Sequence, residues 1–243
     1  MASGIQTALH LIYPPRCTIC GDQVESDFGL CGPCWRDTPF ISGLVCEACG
    51  VPLPGEEDAD QVVHCDDCLK IARPWTRGRA ALLYRDNGRR LVLALKHGDR
   101  HDVVRPAAMW MAQAARVLLV DNMLIAPVPL HWIRMLRRRY NQAALLAEGV
   151  ANETGLAWCP DLLTRPRRTK SLEGMGLDAR FKTLEGAVTA HPKRRHRMAG
   201  RHVLLIDDVM TSGATFSAAA QACFASGAKD VSILALARVA KDD

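Results

Sequence analysis

The sequence predicts an α/β protein in which a mostly parallel sheet with flanking helices follows a small N-terminal double zinc ribbon. Three observations support this fold class. Eight of the ten cysteines form four Cys-x-x-Cys pairs before residue 70, strand-like apolar runs alternate with helical patterns from residue 79 onwards, and the apolar run "HVLLIDD" ends in two aspartates. Alternating strands and helices indicate parallel pairing, because parallel strands need long crossover connections.

The composition is that of a folded, water-soluble protein. Of the 243 residues, 49% are apolar and 23% are charged, which is typical of globular rather than disordered chains. No apolar run reaches the length of a membrane span, and the first residues lack the basic region and cleavage site of a secretion signal. We therefore expect a cytoplasmic protein without membrane insertion.

The net charge of +5 is divided unevenly along the chain. Residues 1–70 contain three basic and eleven acidic side chains, whereas the remaining residues contain 28 basic and 15 acidic ones. This change predicts a domain boundary near Arg73. The expected domains are a double zinc ribbon in residues 1–73 and an α/β domain in residues 74–243.

The four Cys-x-x-Cys pairs predict two structural zinc sites. Two intervening residues let both sulfurs of a tight turn face one ion, and two such turns complete a tetrahedral four-cysteine site. Sequential pairing assigns the ligands as Cys17, Cys20, Cys31 and Cys34 on one Zn²⁺, and Cys46, Cys49, Cys65 and Cys68 on the other. Interleaved pairing, redox-active cysteines and a contribution from His64 remain open alternatives.

The charge of the ribbon segment argues against nucleic-acid binding by that segment. Each four-thiolate zinc centre adds about −2 to a segment that is already acidic, and an acidic surface repels a phosphate backbone. A structural or protein-docking role is therefore the prediction for residues 1–73.

The elements after the ribbons follow in a regular order. The run "RAALLY" predicts a strand, and "GRRLVLALKHG" and "VVRPAAMWMAQAARVLL" predict helices. The strand "LIAPVPL" comes next, followed by a helix in "NQAALLAEGVANETG" that ends at Gly155, and by a short strand in "DLLTRP". The continuous apolar run "HVLLIDD" is typical of a strand buried on both faces. A helix in "ATFSAAAQACFASGA" and a strand in "VSILALARV" complete the chain.

The segment "DDVMTSGAT" predicts a ligand site. It lies between a buried strand and a helix, and ligands of parallel sheets bind beyond the carboxyl ends of the strands. Small residues let backbone N–H groups approach an anion, and the helix N-terminus adds a favourable dipole. Asp207 and Asp208 repel each other there and suit sugar hydroxyls or a hydrated Mg²⁺. The pattern predicts a ribose 5-phosphate site; the alternative is an ordinary strand followed by an acidic helix cap.

Residues 203–215, "VLLIDDVMTSGAT", resemble the signature of type I phosphoribosyltransferases that binds phosphoribosyl pyrophosphate (PRPP). The resemblance implies that Asp207 and Asp208 hold the 2′- and 3′-hydroxyls of the ribose. It also implies that the 5-phosphate is bound by Thr211, Ser212, Gly213, Ala214 and Thr215.

Three stretches resemble the ComF family, whose members join a double zinc ribbon to a phosphoribosyltransferase domain. They are "LIYPPRCTICG", "PVPLHWIRMLRRRYNQAALLA" and "GRHVLLIDDVMTSGAT", so the resemblance extends over nearly the whole chain. It implies a type I phosphoribosyltransferase-like fold in residues 74–243. The pyrophosphate loop is implied at Val128, Pro129 and Leu130, with positive charge from Arg134 and Arg138.

Two further segments correspond to parts of the family's site. Residues 167–188 occupy the position of the flexible catalytic loop; Arg180 is retained, whereas Leu172 and Glu173 stand where many relatives have a glutamine. Asn141 and Gln142 either orient the pyrophosphate loop or begin the next helix.

The stretch "LKHGDRHD" resembles the family's helix-to-loop segment near the PRPP site. Its four basic side chains are those of Lys96, His97, Arg100 and His101. A solvent-exposed helix end is an equal alternative for this segment.

The resemblance implies one of two functions. The first is a glycosyltransferase reaction in which ribosyl phosphate passes from PRPP with Mg²⁺ to an unknown acceptor, with Asp207, Asp208, Arg134 and Arg138 taking part in catalysis. The second is a non-catalytic module that binds or senses PRPP, or binds single-stranded DNA, and works with the DNA-uptake machinery in natural transformation. Basic runs such as "KRRHR" favour DNA, although they lack interleaved aromatic residues and also suit anionic PRPP.

Overall fold

The strands of the protein form one parallel sheet and one small antiparallel pair. The computed structural model describes residues 14–25, 29–56, 61–97, 100–131, 140–167, 169 and 174–240. The strands are β1 (Arg77–Leu83), β2 (Leu124–Pro127), β3 (Ala157–Trp158), β4 (Leu163–Thr164), β5 (Thr189–Ala190), β6 (His202–Met210) and β7 (Asp230–Arg238). The sheet has the order β1-β7-β6-β2-β3, and every neighbouring pair in it is parallel. The predicted parallel sheet is confirmed.

Helices cover both faces of this sheet. Within the described ranges they are α1 (Gly32–Arg36), α2 (Asp66–Lys70), α3 (Asp86–His97), α4 (Val104–Ala115), α5 (Gln142–Thr154), α6 (Leu177–Leu184) and α7 (Ala214–Phe224). Three 3₁₀ turns lie at His101–Val103, Arg116–Leu118 and Arg195–Met198. No helix in these ranges combines the length and the apolar character needed to cross a bilayer.

The central strand β6 is buried on both faces, as its continuous apolar run predicts. Val203 and Leu205 belong to a core cluster shared with α7 and the second ribbon. Leu204 and Ile206 belong to the opposite cluster, which includes residues of α3, α4 and α5. Because both faces lie under other elements, this strand has no polar alternation.

The predicted elements match the structure except at their ends, at two short strands and at three helices. Helix α6 forms within residues 167–188, where a flexible loop was predicted, and the short helices α1 and α2 of the ribbons were not predicted. The helix predicted in "VVRPAAMWMAQAARVLL" ends at Ala115 and continues only as a 3₁₀ turn, and the "LIAPVPL" strand ends at Pro127. Gly155 has a left-handed φ of 71° and ends α5 as expected. The two-residue strands β3 and β5 were not predicted, because two residues carry no periodic signal.

The second ribbon packs directly against β1. The backbone N–H of Gly78 donates to Glu47 O at 2.8 Å, and the Glu47 carboxylate forms ion pairs with Arg77 and Arg79. A Cβ atom at Gly78 would lie 2.4 Å from Ala48 O, so only glycine allows this approach. The domain boundary near Arg73 stays a prediction.

Candidate functional site

The loop that follows β6 presents unpaired backbone N–H groups. Within the described part of the chain, the N–H groups of Thr211, Ser212 and Gly213 donate to no acceptor. The first turn of α7 adds further N–H groups that no carbonyl of the helix can accept. Together they form a cradle for an anion at a helix N-terminus.

Gly213 is required by the shape of this loop. Its φ of +82° lies in the left-handed region, and a Cβ atom there would lie 2.9 Å from both Arg73 Nη1 and Met210 Cε. The loop is therefore packed from behind, which leaves its N–H groups available for a ligand.

Asp207 and Asp208 lie at the end of β6, next to the anion cradle. The Asp208 N–H donates to Asp207 Oδ1 at 2.8 Å. Lys96, near the end of α3, forms an ion pair with Asp208 at 3.2 Å between Nζ and Oδ2. The structure thus places one of the four side chains of "LKHGDRHD" at the acidic pair.

Desolvation controls the ionisation of Asp207. It raises the pKa of Asp207 to about 8, and repulsion from Asp208 adds to the rise, although Lys96 and Arg165 oppose it. Asp207 therefore has too few partners in the protein without ligand to stabilise its charged form.

The raised pKa of Asp207 predicts a pH-dependent stability of the protein without ligand. The folded state holds a proton on Asp207 that the unfolded state releases, so this contribution is complete below about pH 4 and is lost as the pH rises to about 8. We expect Asp207→Asn to raise the free energy of unfolding at pH 8 by on the order of 2 kcal/mol and to leave it nearly unchanged at pH 4. Denaturant unfolding at the two pH values checks this; an equal effect at both would contradict it.

Two arginines from other segments reach this site. Arg180 of α6 donates from Nη1 to Thr211 Oγ1 at 3.3 Å and from Nε to Met175 O at 3.0 Å. Part of the predicted catalytic loop therefore forms helix α6, which contacts the loop after β6 through Arg180. Arg165 is buried, and its charge acts on Asp207. Sequence analysis missed Arg165, whose only local signal is its position directly after a short strand.

The predicted pyrophosphate loop begins beside β6. Val128 is buried and its N–H donates to Ile206 O at 2.8 Å, and Pro129 is also buried. Asn141 donates from Nδ2 to Val128 O at 3.2 Å and accepts from the Ala143 N–H, so it both holds the loop and begins α5. Arg134 and Arg138 lie outside the described residues.

Other expected residues lie elsewhere or are not described. Arg100 contacts Asp102 and donates to Thr18 O at 3.1 Å, which directs it towards the first ribbon. His101 stacks against Tyr140 with ring centroids 4.9 Å apart. The side chain of His97 and the residues Leu172 and Glu173 lie outside the described part of the chain.

The cysteine pairs assemble into two four-sulfur clusters. The clusters are Cys17, Cys20, Cys31 and Cys34, and Cys46, Cys49, Cys65 and Cys68, with all sulfurs of a cluster within 4.8 Å of one another. Sequential pairing is confirmed, and His64 belongs to neither cluster.

The donor sets and the crowding of thiols fit zinc. Four sulfur ligands in a closed site are those of structural Zn²⁺. The hydrogen bond with Cys46 raises the pKa of the Cys68 thiol to about 11, a cost that a divalent cation removes by holding all four thiolates. The second cluster contains two fully buried cysteines, Cys46 and Cys49, whereas the first includes the exposed Cys20.

Known proteins of similar sequence match this chain over most of its length. Residues 8–69 match the family described as double zinc ribbon domain. The DNA utilization protein YhgH of Salmonella typhimurium is 28% identical over 235 residues, which cover 94% of this chain and 99% of that protein. Competence protein F of Haemophilus influenzae is 25% identical over 95% and 93% of the two chains, and competence protein ComFC of Bacillus subtilis is 24% identical over 93% and 96%.

Solved structures with a similar arrangement include enzymes that are named for PRPP or phosphoribosyl chemistry. Glutamine PRPP amidotransferase of B. subtilis has 15% identity and a TM-score of 0.40, and the similarity covers 60% of this chain and 30% of that one. Hypoxanthine phosphoribosyltransferase of Staphylococcus aureus has 11% identity and a TM-score of 0.35, over 59% and 70% of the two chains. Similarity of this extent carries no argument on activity.

Proposed function

Because this chain belongs to the ComF family, we propose that it is a PRPP-binding phosphoribosyltransferase that transfers ribosyl phosphate with Mg²⁺ to an acceptor. The observation that carries the proposal is the adjacency of the unpaired N–H groups at Thr211–Gly213 to the half-buried Asp207 and the buried Asp208. A phosphorylated ribose carries both groups that such a site would bind, a 5-phosphate for the N–H groups and a vicinal diol for the carboxylates.

The loop and its surroundings supply the parts that PRPP binding needs. The N–H groups of residues 211–215 are the donors for the 5-phosphate, with Arg180 adjacent at Thr211. Asp207 and Asp208 are acceptors for the ribose 2′- and 3′-hydroxyls, and Lys96 limits their repulsion. Val128 and Pro129 form the start of the pyrophosphate loop beside the same strand end.

Phosphoribosyl transfer does not require the protein to form a covalent bond with the substrate. Pyrophosphate leaves C1 of the ribose as the acceptor attacks, and a bound Mg²⁺ supplies neutralisation of the pyrophosphate charge. The acidic pair and the phosphate loop hold the ribose at both ends, which positions C1 for attack. The contact between Arg180 and Thr211 is where the predicted catalytic loop, residues 167–188, would meet the phosphate and restrict access of water.

The relatives indicate the process that this activity serves. Two of them carry the name competence protein and another the name DNA utilization protein. We place this chain in the uptake or use of DNA, with protein partners of the uptake machinery and an acceptor that no described residue identifies.

Titration calorimetry with PRPP tests the proposal. We expect binding with a Kd on the order of micromolar in the presence of Mg²⁺, at least tenfold weaker when Mg²⁺ is omitted, and weaker still for ribose 5-phosphate. Mg²⁺ is to be omitted rather than chelated, so that zinc is retained. Release of pyrophosphate with a panel of bases then separates transfer from sensing. Absence of heat with PRPP and Mg²⁺ would remove the proposal.

A second candidate function is binding of single-stranded DNA at a basic surface. The segment "KRRHR" (193–197) lies around a 3₁₀ turn, and the side chains of Lys193, Arg194, Arg195 and His196 are exposed. Arg194 pairs with Asp161 at 3.0 Å, whereas Lys193 and Arg195 of this segment are exposed and form no ion pair with a described carboxylate.

The salt dependence of DNA binding tests this candidate. Replacement of Lys193 and Arg195 by alanine is expected to reduce the slope of log K against log salt by about 1.4 for an oligothymidine, because about 0.7 is lost with each phosphate contact. Fluorescence anisotropy between 50 and 200 mM salt measures both slopes. Equal slopes, or no binding by the parent protein at low salt, would exclude the surface.

A further inference from the structure

Two arginines, the half-buried Arg73 and the buried Arg238, connect the second zinc site to the loop after β6. Arg73 donates from Nη1 to Ser212 O at 2.7 Å and hydrogen-bonds the thiol of Cys68. Arg238, at the end of β7, donates from Nη1 to Thr211 O at 2.8 Å and from Nη2 to Cys49 Sγ at 3.7 Å. Each guanidinium therefore reaches from a metal ligand to a loop carbonyl.

Trp75 forms a third connection between the same two regions. Its indole N–H donates to Ala48 O, within the turn that carries Cys46 and Cys49, at 2.6 Å. The centroid of its ring lies 5.4 Å from Arg73 Cζ. The ring also packs against the loop after β6, because a Cβ atom at Gly213 would lie 3.0 Å from Trp75 Cη2. The cysteine turn, the tryptophan and the loop are one packed unit.

The charges of the two arginines need a counter-charge that the zinc centre provides. Only 4% of Arg238 is exposed, and its Nε and that of Arg73 are buried without an acceptor in the described part of the chain. No described carboxylate lies within 4 Å of either guanidinium. Four thiolates with one Zn²⁺ carry a net charge of about −2, which would balance the charge of +2 on the two guanidiniums.

The first zinc site lacks such a connection among the described contacts. Its turns are held by Arg100, which donates to Thr18 O, and by Asn87, which donates to Cys34 O. Neither side chain contacts the loop after β6. The two zinc centres therefore differ in what they support.

We propose that the second zinc centre orients the phosphate-binding loop through Arg73 and Arg238, which act as positioning residues. The centre fixes the two guanidiniums, the guanidiniums hold the carbonyls of Thr211 and Ser212 on the inner side of the loop, and the loop N–H groups stay directed to the ligand. The consequence for PRPP affinity rests on the proposed function, whereas the order of the loop does not.

Hydrogen exchange of the full-length, zinc-loaded protein without PRPP tests the positioning role. The reporter amides are Ser217, which donates to Gly213 O, and Val239, which donates to Met210 O, because loop movement breaks both bonds. Arg73→Met keeps an unbranched apolar stem and removes the guanidinium with its charge, and Arg100→Met is the matched control at the first ribbon. We expect exchange of the reporters to accelerate at least tenfold in Arg73→Met and Cys68→Ser, and to stay within twofold in Arg100→Met.

Metal analysis and PRPP titration separate the possible outcomes. Arg73→Met is expected to retain two zinc ions per chain, so faster exchange of its reporter amides would result from loss of the guanidinium and not from loss of zinc. If Cys68→Ser does not fold, Arg73→Met alone tests the proposal. Unchanged reporter exchange in Arg73→Met would overturn the positioning role, whatever PRPP does. Faster exchange in a protein whose parent form gives no heat with PRPP would support the role and refute the proposed function. If both hold, PRPP affinity in Arg73→Met falls at least tenfold.

Discussion

Replacement of both Asp207 and Asp208 by asparagine is expected to weaken Mg²⁺-dependent PRPP binding by at least about 100-fold. Hydrogen bonds from hydroxyls to a charged acceptor contribute about 1.5–3 kcal/mol each, and two of them account for this factor. The replacement also leaves the ammonium of Lys96 without the carboxylate that lies 3.2 Å away. Titration calorimetry of the parent and the double variant measures the difference.

A matched control for the acidic pair is Asp161→Asn. Asp161 pairs with the exposed Arg194 at 3.0 Å and belongs to the segment between β3 and β4 rather than to the loop after β6. PRPP affinity should stay within about twofold in this variant, because exposed ion pairs contribute at most about 1 kcal/mol and this pair is remote in the chain from the loop.

Loss of folding cannot explain the expected loss of binding. Removing a buried carboxylate whose pKa is raised to about 8 relieves desolvation and repulsion in the protein without ligand. Asp207→Asn alone, which keeps the ion pair between Lys96 and Asp208, should therefore unfold at a denaturant concentration no lower than the parent at pH 8, and its PRPP affinity should still fall. Equal binding heats in the parent and the double variant would refute the assignment of the diol site.

Replacement of Gly78 by alanine is expected to lower the free energy of unfolding by about 3 kcal/mol. A Cβ at this position would lie 2.4 Å from Ala48 O and 2.8 Å from Ile233 Cγ1. The Ala48 carbonyl belongs to the backbone of the turn between Cys46 and Cys49. It cannot move without separating the second ribbon from β1. Overpacking against a rigid neighbour typically costs about 1–3 kcal/mol or more. Denaturant unfolding of the zinc-loaded protein measures the change.

Gly32→Ala is the control for this substitution. Gly32 begins α1, and a Cβ there would meet no atom within 4 Å. Its backbone φ lies outside the left-handed region, so alanine should leave the stability unchanged or raise it by a few tenths of a kcal/mol. If Gly78→Ala and Gly32→Ala have the same stability, the ribbon does not depend on close approach to the sheet.

Much of the fold and part of the site could be predicted because their signals are local. The eight zinc ligands follow from the two-residue spacing within each pair, whereas the sequential combination of the pairs was left open by the sequence and is shown by the structure. The burial of β6 follows from its unbroken apolar run, and the anion loop follows from small residues between a strand and a helix. Each of these features depends on residues that are close in the sequence, so no knowledge of packing is needed.

The contacts between distant segments could not be predicted in the same way. Arg73 and Ser212 are 139 positions apart, and Arg238 and Cys49 are 189 apart. Near Arg73 the chain shows only a change in charge, and Arg238 stands in a strand pattern that gives no indication of a polar role. Only the packing of the second ribbon on the sheet brings these side chains to the loop.

By itself, the sequence determined the four Cys-x-x-Cys pairs, the parallel α/β class and the acidic pair ahead of an anion loop, because residue spacing and apolar periodicity encode these features over short distances. The tertiary structure alone decided that Lys96 neutralises Asp208, that Arg165 acts on Asp207, and that the second cluster, not the first, lies behind the loop. The physical reason is burial: a charge removed from water must find its partner in whichever segment the packing places beside it, however far away that segment lies in the chain.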